Sequence, residues 1–193
     1  DKPLGEQYVT YISGVAHGDF GDSLKQRGRT VAGIIQAKFP VSAKIGGISV
    51  LVSLILGVLL GSIAALKRGK FLDSLISVIS TMGIAVPSFV ICTVLMYFFG
   101  VKFKILPTMG LSSWQNYIMP VAALAFYPTA YIMRLMRSSM LDVLGQDYMR
   151  TAKAKGLSGK VQLFKHALRN AILPVVTYVA VSYTHLRAHE TEL

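Results

Sequence analysis

Apolar stretches long enough to cross a membrane alternate with short polar stretches along most of this chain. Residues 45–66 carry no charged side chain, and a helix needs about 20 mostly apolar residues to cross the hydrocarbon of a bilayer. The predicted spans are residues 43–66, 75–99, 118–137 and 171–181, the last of which is cut short by the polar residues 182–193. The pattern therefore predicts an all-α fold, a polytopic bundle of transmembrane helices.

The first 42 residues have a different, more polar pattern. Apolar residues within 8–15 indicate a short amphipathic helix, and the glycines of residues 18–23 predict a turn. Residues 31–39 then have helical apolar spacing, which predicts an interfacial helix leading into the membrane. Pro40 is predicted to end this helix.

Small residues and a proline interrupt the predicted spans. Gly57 and Gly61 form a pattern that favours close helix packing, although small residues are common in spans. Pro87 lies near the middle of the second span, where it bends the helix because it has no N–H to donate. Such a bend serves either packing or a transport route. Gly83, Pro87 and Ser88 are therefore candidate residues of a translocation path.

The composition is that of a membrane protein. The chain is 53% hydrophobic and only 15% charged, with a mean hydropathy of +0.53, whereas soluble domains carry about 25% charged residues. A net charge of +11 suggests a nucleic-acid partner in a soluble protein. Here Lys and Arg flank the apolar stretches, so the predicted partner is the lipid membrane and not nucleic acid. The single cysteine, Cys92, excludes a disulfide framework.

A polar and basic interval, residues 138–173, separates the third predicted span from the fourth, and we call it the basic segment. Its basic residues are Arg150, Lys153, Lys155, Lys160, Lys165 and Arg169, opposed only by Asp142 and Asp147. This excess predicts the cytoplasmic side of the membrane. The apolar spacing predicts one helix face over residues 141–155, a sharp turn at Gly156 and a second helix over residues 161–171. The basic residues alone are also explained by binding to anionic lipid headgroups.

Two stretches of the basic segment resemble a known loop. Residues 148–157, YMRTAKAKGL, and 166–174, HALRNAILP, look like the cytoplasmic coupling loop of ABC-importer permeases, and more narrowly that of the dipeptide, oligopeptide and nickel group. The generic loop reads Glu-Ala-Ala, three residues, Gly, nine residues, then Ile-x-Leu-Pro. Aligned on Gly156, only Ala152, Gly156 and Leu168 match the generic form, and Arg150 stands in place of its Glu. The match to the peptide-transporter version is nearly continuous.

The resemblance covers about residues 8–181 and implies the type I permease fold of ABC importers. The chain would hold residues 1–42 as an external segment, then the second, third and fourth of six spans and part of the fifth. The implied location is the cytoplasmic (inner) membrane of a bacterium or archaeon. The implied partners are two ATP-binding subunits, a second homologous permease and an extracytoplasmic substrate-binding protein. The implied substrates are peptides or nickel complexes, with ATP and Mg bound by the partner subunits and no cofactor bound by this chain.

The resemblance also assigns site residues. The loop of such permeases docks into a cleft on the ATP-hydrolysing subunit, and Ala152, Gly156 and Leu157 would form the docking turn because small residues allow close approach. The full set of predicted contact residues is Arg150, Thr151, Ala152, Lys153, Lys155, Gly156, Leu157, His166 and Leu168.

The sequence contains no phosphate-binding loop and no carboxylate inside a predicted span, so it predicts a non-enzymatic chain without a proton relay. His185 and His189 lack further ligands, and no metal site is predicted. Residues 182–193 are predicted to be a non-native tail, and the absence of Met at Asp1 predicts a fragment. The alternative function is a non-transporting membrane anchor or scaffold, which needs only apolar spans and a basic loop.

Overall fold

Residues 3–110 and 113–189 are described in a computed structural model. The chain divides into two compact units, Asp1–Gly47 and Ile48–Leu193. The helices are α1 (Leu4–Ala16), α2 (Val31–Leu66), α3 (Phe71–Ala85), α4 (Ser88–Leu95), α5 (Gln115–Leu144), α6 (Asp147–Ala154), α7 (Gly159–Val161), α8 (Arg169–Ala171) and α9 (Leu173–His189). Two π-helical stretches, Met96–Lys102 and Gln162–Leu168, continue α4 and α7. The described ranges contain no β-strand, which confirms the all-α prediction.

The first unit contains the two features predicted for it. α1 is the predicted amphipathic helix. The predicted glycine turn follows it, with Gly18 and Gly21 at positive φ angles of 82° and 73°. The amide of Asp19 donates to the carbonyl of Gly14 over 2.8 Å, which closes the turn against the end of α1.

α2 is a single helix that includes Pro40. The prediction that Pro40 ends a helix was therefore wrong, whereas the interfacial position of residues 31–39 and the span over residues 43–66 stay predictions. Proline removes one backbone hydrogen bond, because it cannot donate to the carbonyl of Gln36. One missing bond does not end a helix when the neighbouring turns are fully bonded, and apolar helices tolerate such prolines.

Among the described residues, two helices, α2 and α5, are by length and composition able to cross a membrane. α3 meets the same criterion only together with α4 and the π-helical stretch that continues α4 to Lys102. The two parts are bent by 104° at the break between them. α5 continues to Leu144, so the first residues of the basic segment prolong this helix. α9 has 17 residues. The exact span boundaries and the non-native tail stay predictions, and residues 190–193 of that tail lie outside the described residues.

Close packing of α2 on α5 confirms the prediction from Gly57 and Gly61. A Cβ atom added to Gly57 would lie 2.6 Å from a methyl carbon of Ile132. One added to Gly61 would lie 2.5 Å from the carbonyl oxygen of Met133 and 2.8 Å from Cβ of Met136. Distances this short do not occur in real packing, so only glycine permits this approach of the two backbones.

Buried serines extend this contact along the same face of α2. The hydroxyl of Ser53 lies 3.1 Å from the carbonyl oxygen of Ala125 on α5 and 2.7 Å from that of Ser49 on its own helix. The hydroxyl of Ser49 donates to the carbonyl of Val121 over 3.3 Å. Hydrogen bonds between helices add to the van der Waals packing of small residues. We call this α2–α5 contact the seam.

The bend predicted at Pro87 is confirmed, and it is a complete break. α3 ends at Ala85, Val86 and Pro87 are extended, and α4 begins at Ser88. Pro87 has no N–H, so the hydrogen-bond ladder of α3 cannot continue through it. The break lies against α5, which contacts both α3 and α4.

Candidate coupling site and helix-break cavity

The basic segment contains a helix break that its apolar spacing did not predict. α5 ends at Leu144, and α6 begins after Gly145 and Gln146. The amide of Gly145 donates to the carbonyl of Leu141 over 3.2 Å, while Gln146 is extended with ψ of 152°. The prediction of one helix face over residues 141–155 was therefore wrong, because the three- and four-residue spacing continues across a break that is set by backbone conformation.

The turn predicted at Gly156 is confirmed. Gly156 has φ of +71°, in the left-handed region that favours glycine. Its N–H donates to the carbonyl of Lys153 over 3.0 Å, and the N–H of Leu157 donates to that of Ala152 over 3.3 Å. This pair of bonds is a Schellman motif, which ends a helix with satisfied carbonyls. A Cβ atom added to Gly156 meets nothing within 4 Å, so the backbone conformation, not crowding, calls for glycine here.

Side chains tie the second helix of the basic segment back to the first. The side-chain amide of Gln162 donates to the carbonyl of Leu157 over 2.6 Å. The side-chain amide of Asn170 lies 3.1 Å from the Tyr148 hydroxyl and 3.1 Å from the carbonyl of His166. The two helices and their glycine turn therefore form a compact knob, as predicted.

The inner side of this knob belongs to a hydrophobic core shared with α5. Met149 of α6 is 6% exposed and lies in one cluster with Met136 and Met140 of α5, which are fully buried. Other members of this cluster are Ala65, Ile132, Ala167, Ala171 and Val175. Because protein interiors are closely packed, a movement of α6 has to be accommodated by α5.

The outer side of the knob carries a surface cavity of about 310 Å³, which we call the notch. Its lining residues are Tyr148, Thr151, Ala152, Lys155, Leu157 and His166. All but Tyr148 are among the predicted contact residues. Tyr148 was missed, although its place on the predicted helix face was a signal that could have found it.

The remaining predicted contact residues lie elsewhere on the knob. Arg150, Lys153 and Gly156 are exposed but do not line the notch. Arg150 lies 3.5 Å from the carboxylate of Asp147. Leu168 packs against the core of the knob, so it is placed to support the surface and not to contact a partner.

A second cavity, of about 380 Å³, lies at the break between α3 and α4, and we call it the break cavity. Its lining residues are Ile84, Ala85, Val86, Pro87, Ser88, Leu124, Tyr127 and Pro128. Of the predicted path residues, Pro87 and Ser88 line it. Gly83 does not, and packs against α5 instead, where an added Cβ would lie 2.6 Å from that of Ala130. Pro128 has no N–H for the carbonyl of Leu124, so the backbone ladder is interrupted on both sides of this cavity.

A buried ion pair, which the sequence did not predict, joins α3 to α5. Asp73 is 5% exposed. One of its carboxylate oxygens lies 2.5 Å from Nε of Arg137, and the other lies 2.9 Å from a terminal guanidinium nitrogen. The second oxygen also accepts the amide of Gly69 over 3.0 Å. The pair joins the start of α3 to α5 at Arg137, the residue directly before the basic segment.

These features are those of a helical membrane protein that carries a basic, folded surface beyond its long apolar helices. Residues 57–190 match the family described as the binding-protein-dependent transport system inner membrane component, and the chain belongs to this family.

Three relatives illustrate the range of proteins that the chain is similar to. The dipeptide transport system permease protein DppB of Bacillus subtilis is 44% identical over 177 residues, 92% of this chain and 58% of that protein. The oligopeptide transport system permease protein OppB of Haemophilus influenzae is 40% identical over 188 residues, 95% of this chain and 60% of that protein. The glutathione transport system permease protein GsiC of Escherichia coli strain K12 is 40% identical over 186 residues, 96% and 60% respectively. The chain thus spans about three-fifths of the length of these relatives.

Proposed function

We propose that this chain is part of the permease subunit of an ATP-driven importer of peptides, located in the inner membrane of a bacterium. Membership of the family supports this proposal, as do relatives whose names specify dipeptide, oligopeptide and glutathione transport. The observation that carries it is the basic segment, whose outer side is an exposed basic surface and whose inner side packs into the same core as α5.

In the proposed assembly, ATP binding, the transport route and peptide delivery belong to different chains. Two ATP-binding subunits hold the basic segment at the cytoplasmic face, where Lys and Arg are enriched. A second homologous permease completes the route, and an extracytoplasmic binding protein delivers the peptide. ATP and Mg bind to the ATP-binding subunits, so this chain converts their movement into a change of the membrane helices and catalyses no reaction itself.

The contacts within the chain suggest how that movement travels. Closure of the ATP-binding pair displaces α6, and Met149 passes the displacement to Met136 and Met140 of α5. The same helix lines the break cavity with Leu124 and Tyr127, so its repositioning changes the cavity. The ATP-binding subunits must bind the two states with different affinity, because a ligand shifts an equilibrium only by its differential affinity.

The test uses the full-length permease, co-expressed with its ATP-binding subunits and purified in detergent. Gly156→Asp and Gly156→Asn form a matched pair, because both residues tolerate the left-handed conformation and they differ in charge. We expect the native and Asn forms to retain the ATP-binding subunits. We expect the Asp form to retain them weakly, since it adds an acidic group to a basic docking surface.

Peptide uptake into proteoliposomes that contain the binding protein completes this test. ATP-dependent uptake by the native and Asn forms, and its loss in the Asp form, supports a transporting permease. If the native permease is folded and inserted but retains no ATP-binding subunit and transports no peptide, the proposal is wrong and a membrane anchor is the better description.

A further inference from the structure

We propose that the notch receives a single acidic side chain, aspartate or glutamate, from the ATP-binding subunit. The inference rests on the proposed function, and it adds the site on the knob and the chemical group that fills it. The notch lies on the described part of the basic segment and combines apolar walls with several hydrogen-bond donors.

The notch is large enough to receive one side chain of a partner protein. Pockets for small molecules run from about 300 to about 1,000 Å³, and the notch, at about 310 Å³, lies at the lower end of this range. Ala152 and Leu157 are the apolar part of its lining, which accommodates the methylene carbons of an inserted side chain. Tyr148 and Lys155 are exposed at its surface, so the cavity is accessible to a second protein.

Several polar groups of the notch are able to donate hydrogen bonds to a partner. The Tyr148 hydroxyl already accepts a hydrogen bond from Asn170, which leaves its own O–H to donate. Lys155 offers an ammonium group and forms no ion pair with any described residue. His166 adds an imidazole N–H whenever the protonated nitrogen faces the cavity.

Within residues 3–110 and 113–189, no acidic side chain lines the notch. The acid on the same helix, Asp147, lies 3.5 Å from Arg150 and is not part of the lining. The hydroxyl of Thr151 is already used, since it donates to the carbonyl of Asp147 over 3.1 Å. A carboxylate from the partner would accept charge-assisted hydrogen bonds from Lys155 and from the Tyr148 hydroxyl at the same time.

The experiment is carbodiimide cross-linking of the full complex, followed by mass spectrometry of the cross-linked peptides. A carbodiimide joins an amine to a carboxylate in direct contact, with loss of water and formation of an amide. We expect a cross-link between Lys155 and an aspartate or glutamate of the ATP-binding subunit. Lys155→Arg removes the primary amine that couples, so it should lose the cross-link.

Lys153 is the matched control, because it is exposed in α6, two residues before Lys155, but does not line the notch. Lys155→Glu should weaken retention of the ATP-binding subunit roughly tenfold more than Lys153→Glu, as expected for a contact worth about 1.4 kcal/mol.

The outcomes separate this inference from the proposed function. If the unsubstituted permease retains no ATP-binding subunit, the proposed function fails and the inference fails with it. If the complex forms but cross-links arise from Lys153 or Lys160 and not from Lys155, the notch is not the contact and only this inference is overturned. An adduct of Lys155 with the carboxylate of phosphatidylserine, in vesicles that contain this lipid, overturns it in favour of the membrane surface.

Discussion

The two sides of α5 are built differently. On the side of the seam, Gly57 and Gly61 bring α2 against the backbone of α5, and Ser53 bonds to one of its carbonyls. On the other side, α3 and α4 are broken at Pro87 and leave a cavity of about 380 Å³. One face of α5 is therefore closely packed and hydrogen-bonded to α2. Another face lies against a broken helix and a cavity.

This difference indicates where the molecule is able to change shape. Closely packed backbones resist sliding, because every displacement creates clashes or voids. A broken helix beside a cavity changes shape at lower cost, since its backbone bonds are already interrupted. The seam is accordingly the fixed part of the structure, and the break is the part that we expect to move during transport.

The largest effect on stability is expected from the buried ion pair that holds the start of α3 to α5. Arg137→Leu leaves the carboxylate of Asp73 buried, with the amide of Gly69 still donating to it from outside α3. We expect a loss of about 3 kcal/mol, the lower end for breaking a buried pair, because the Arg137 side chain is 32% exposed. Thermal unfolding of the full-length permease in detergent measures this loss.

A double substitution provides the control for that prediction. Asp73→Leu combined with Arg137→Leu removes both charges, and replacing a buried pair by apolar residues is often neutral or stabilising. The double variant should therefore be more stable than Arg137→Leu alone. Equal stability of the native protein and the single variant would mean that the pair does not hold α3 in place.

A smaller loss of stability is expected from disturbing the seam, and a still smaller change in stability from filling the break cavity. Gly61→Ala forces α2 away from Met133, and overpacking of this kind costs about 1–3 kcal/mol. Leu124→Phe adds volume on the opposite face of α5, where Leu124 is 51% exposed, and should change stability by about 0.5 kcal/mol or less.

The order of the same two variants should be reversed for transport, so that Leu124→Phe reduces peptide uptake more than Gly61→Ala does. We expect Leu124→Phe to reduce peptide uptake while the protein remains as stable as the native form, since it occupies the break cavity. Unfolding temperatures and uptake into proteoliposomes are measured on both variants. If Gly61→Ala is as stable as the native form, the contrast between the two faces of α5 does not hold.

The sequence predicted the elements that depend on local residue chemistry. The left-handed turn at Gly156, the break at Pro87 and the close approach at Gly57 and Gly61 follow from properties of glycine and proline that act in any fold. Five of the six residues that line the notch are among the predicted contact residues, and their contact with a partner stays a prediction.

The features that were missed depend on contacts between distant parts of the chain. Asp73 and Arg137 are far apart in sequence, and nothing near either residue indicates the other. The continuous helix through Pro40 and the break after Leu144 were wrongly predicted for a related reason. A proline favours a helix end and a regular apolar spacing favours a continuous helix, but both are local preferences. Whether the helix continues depends on the packing and hydrogen bonds of the neighbouring turns.

The measurement that tests the account most directly is the ratio of peptide uptake to ATP hydrolysis in proteoliposomes for Met149→Ala. This substitution removes the side chain that joins α6 to the core of α5, but it leaves the lining of the notch unchanged. Met119→Ala is the matched control, because Met119 is also buried, at 4% exposed, but lies outside this core cluster. We predict that Met149→Ala retains the ATP-binding subunits and ATP hydrolysis while uptake per ATP falls, and that Met119→Ala keeps the native ratio. An unchanged ratio in Met149→Ala would contradict the claim that the basic segment drives the membrane helices through this contact.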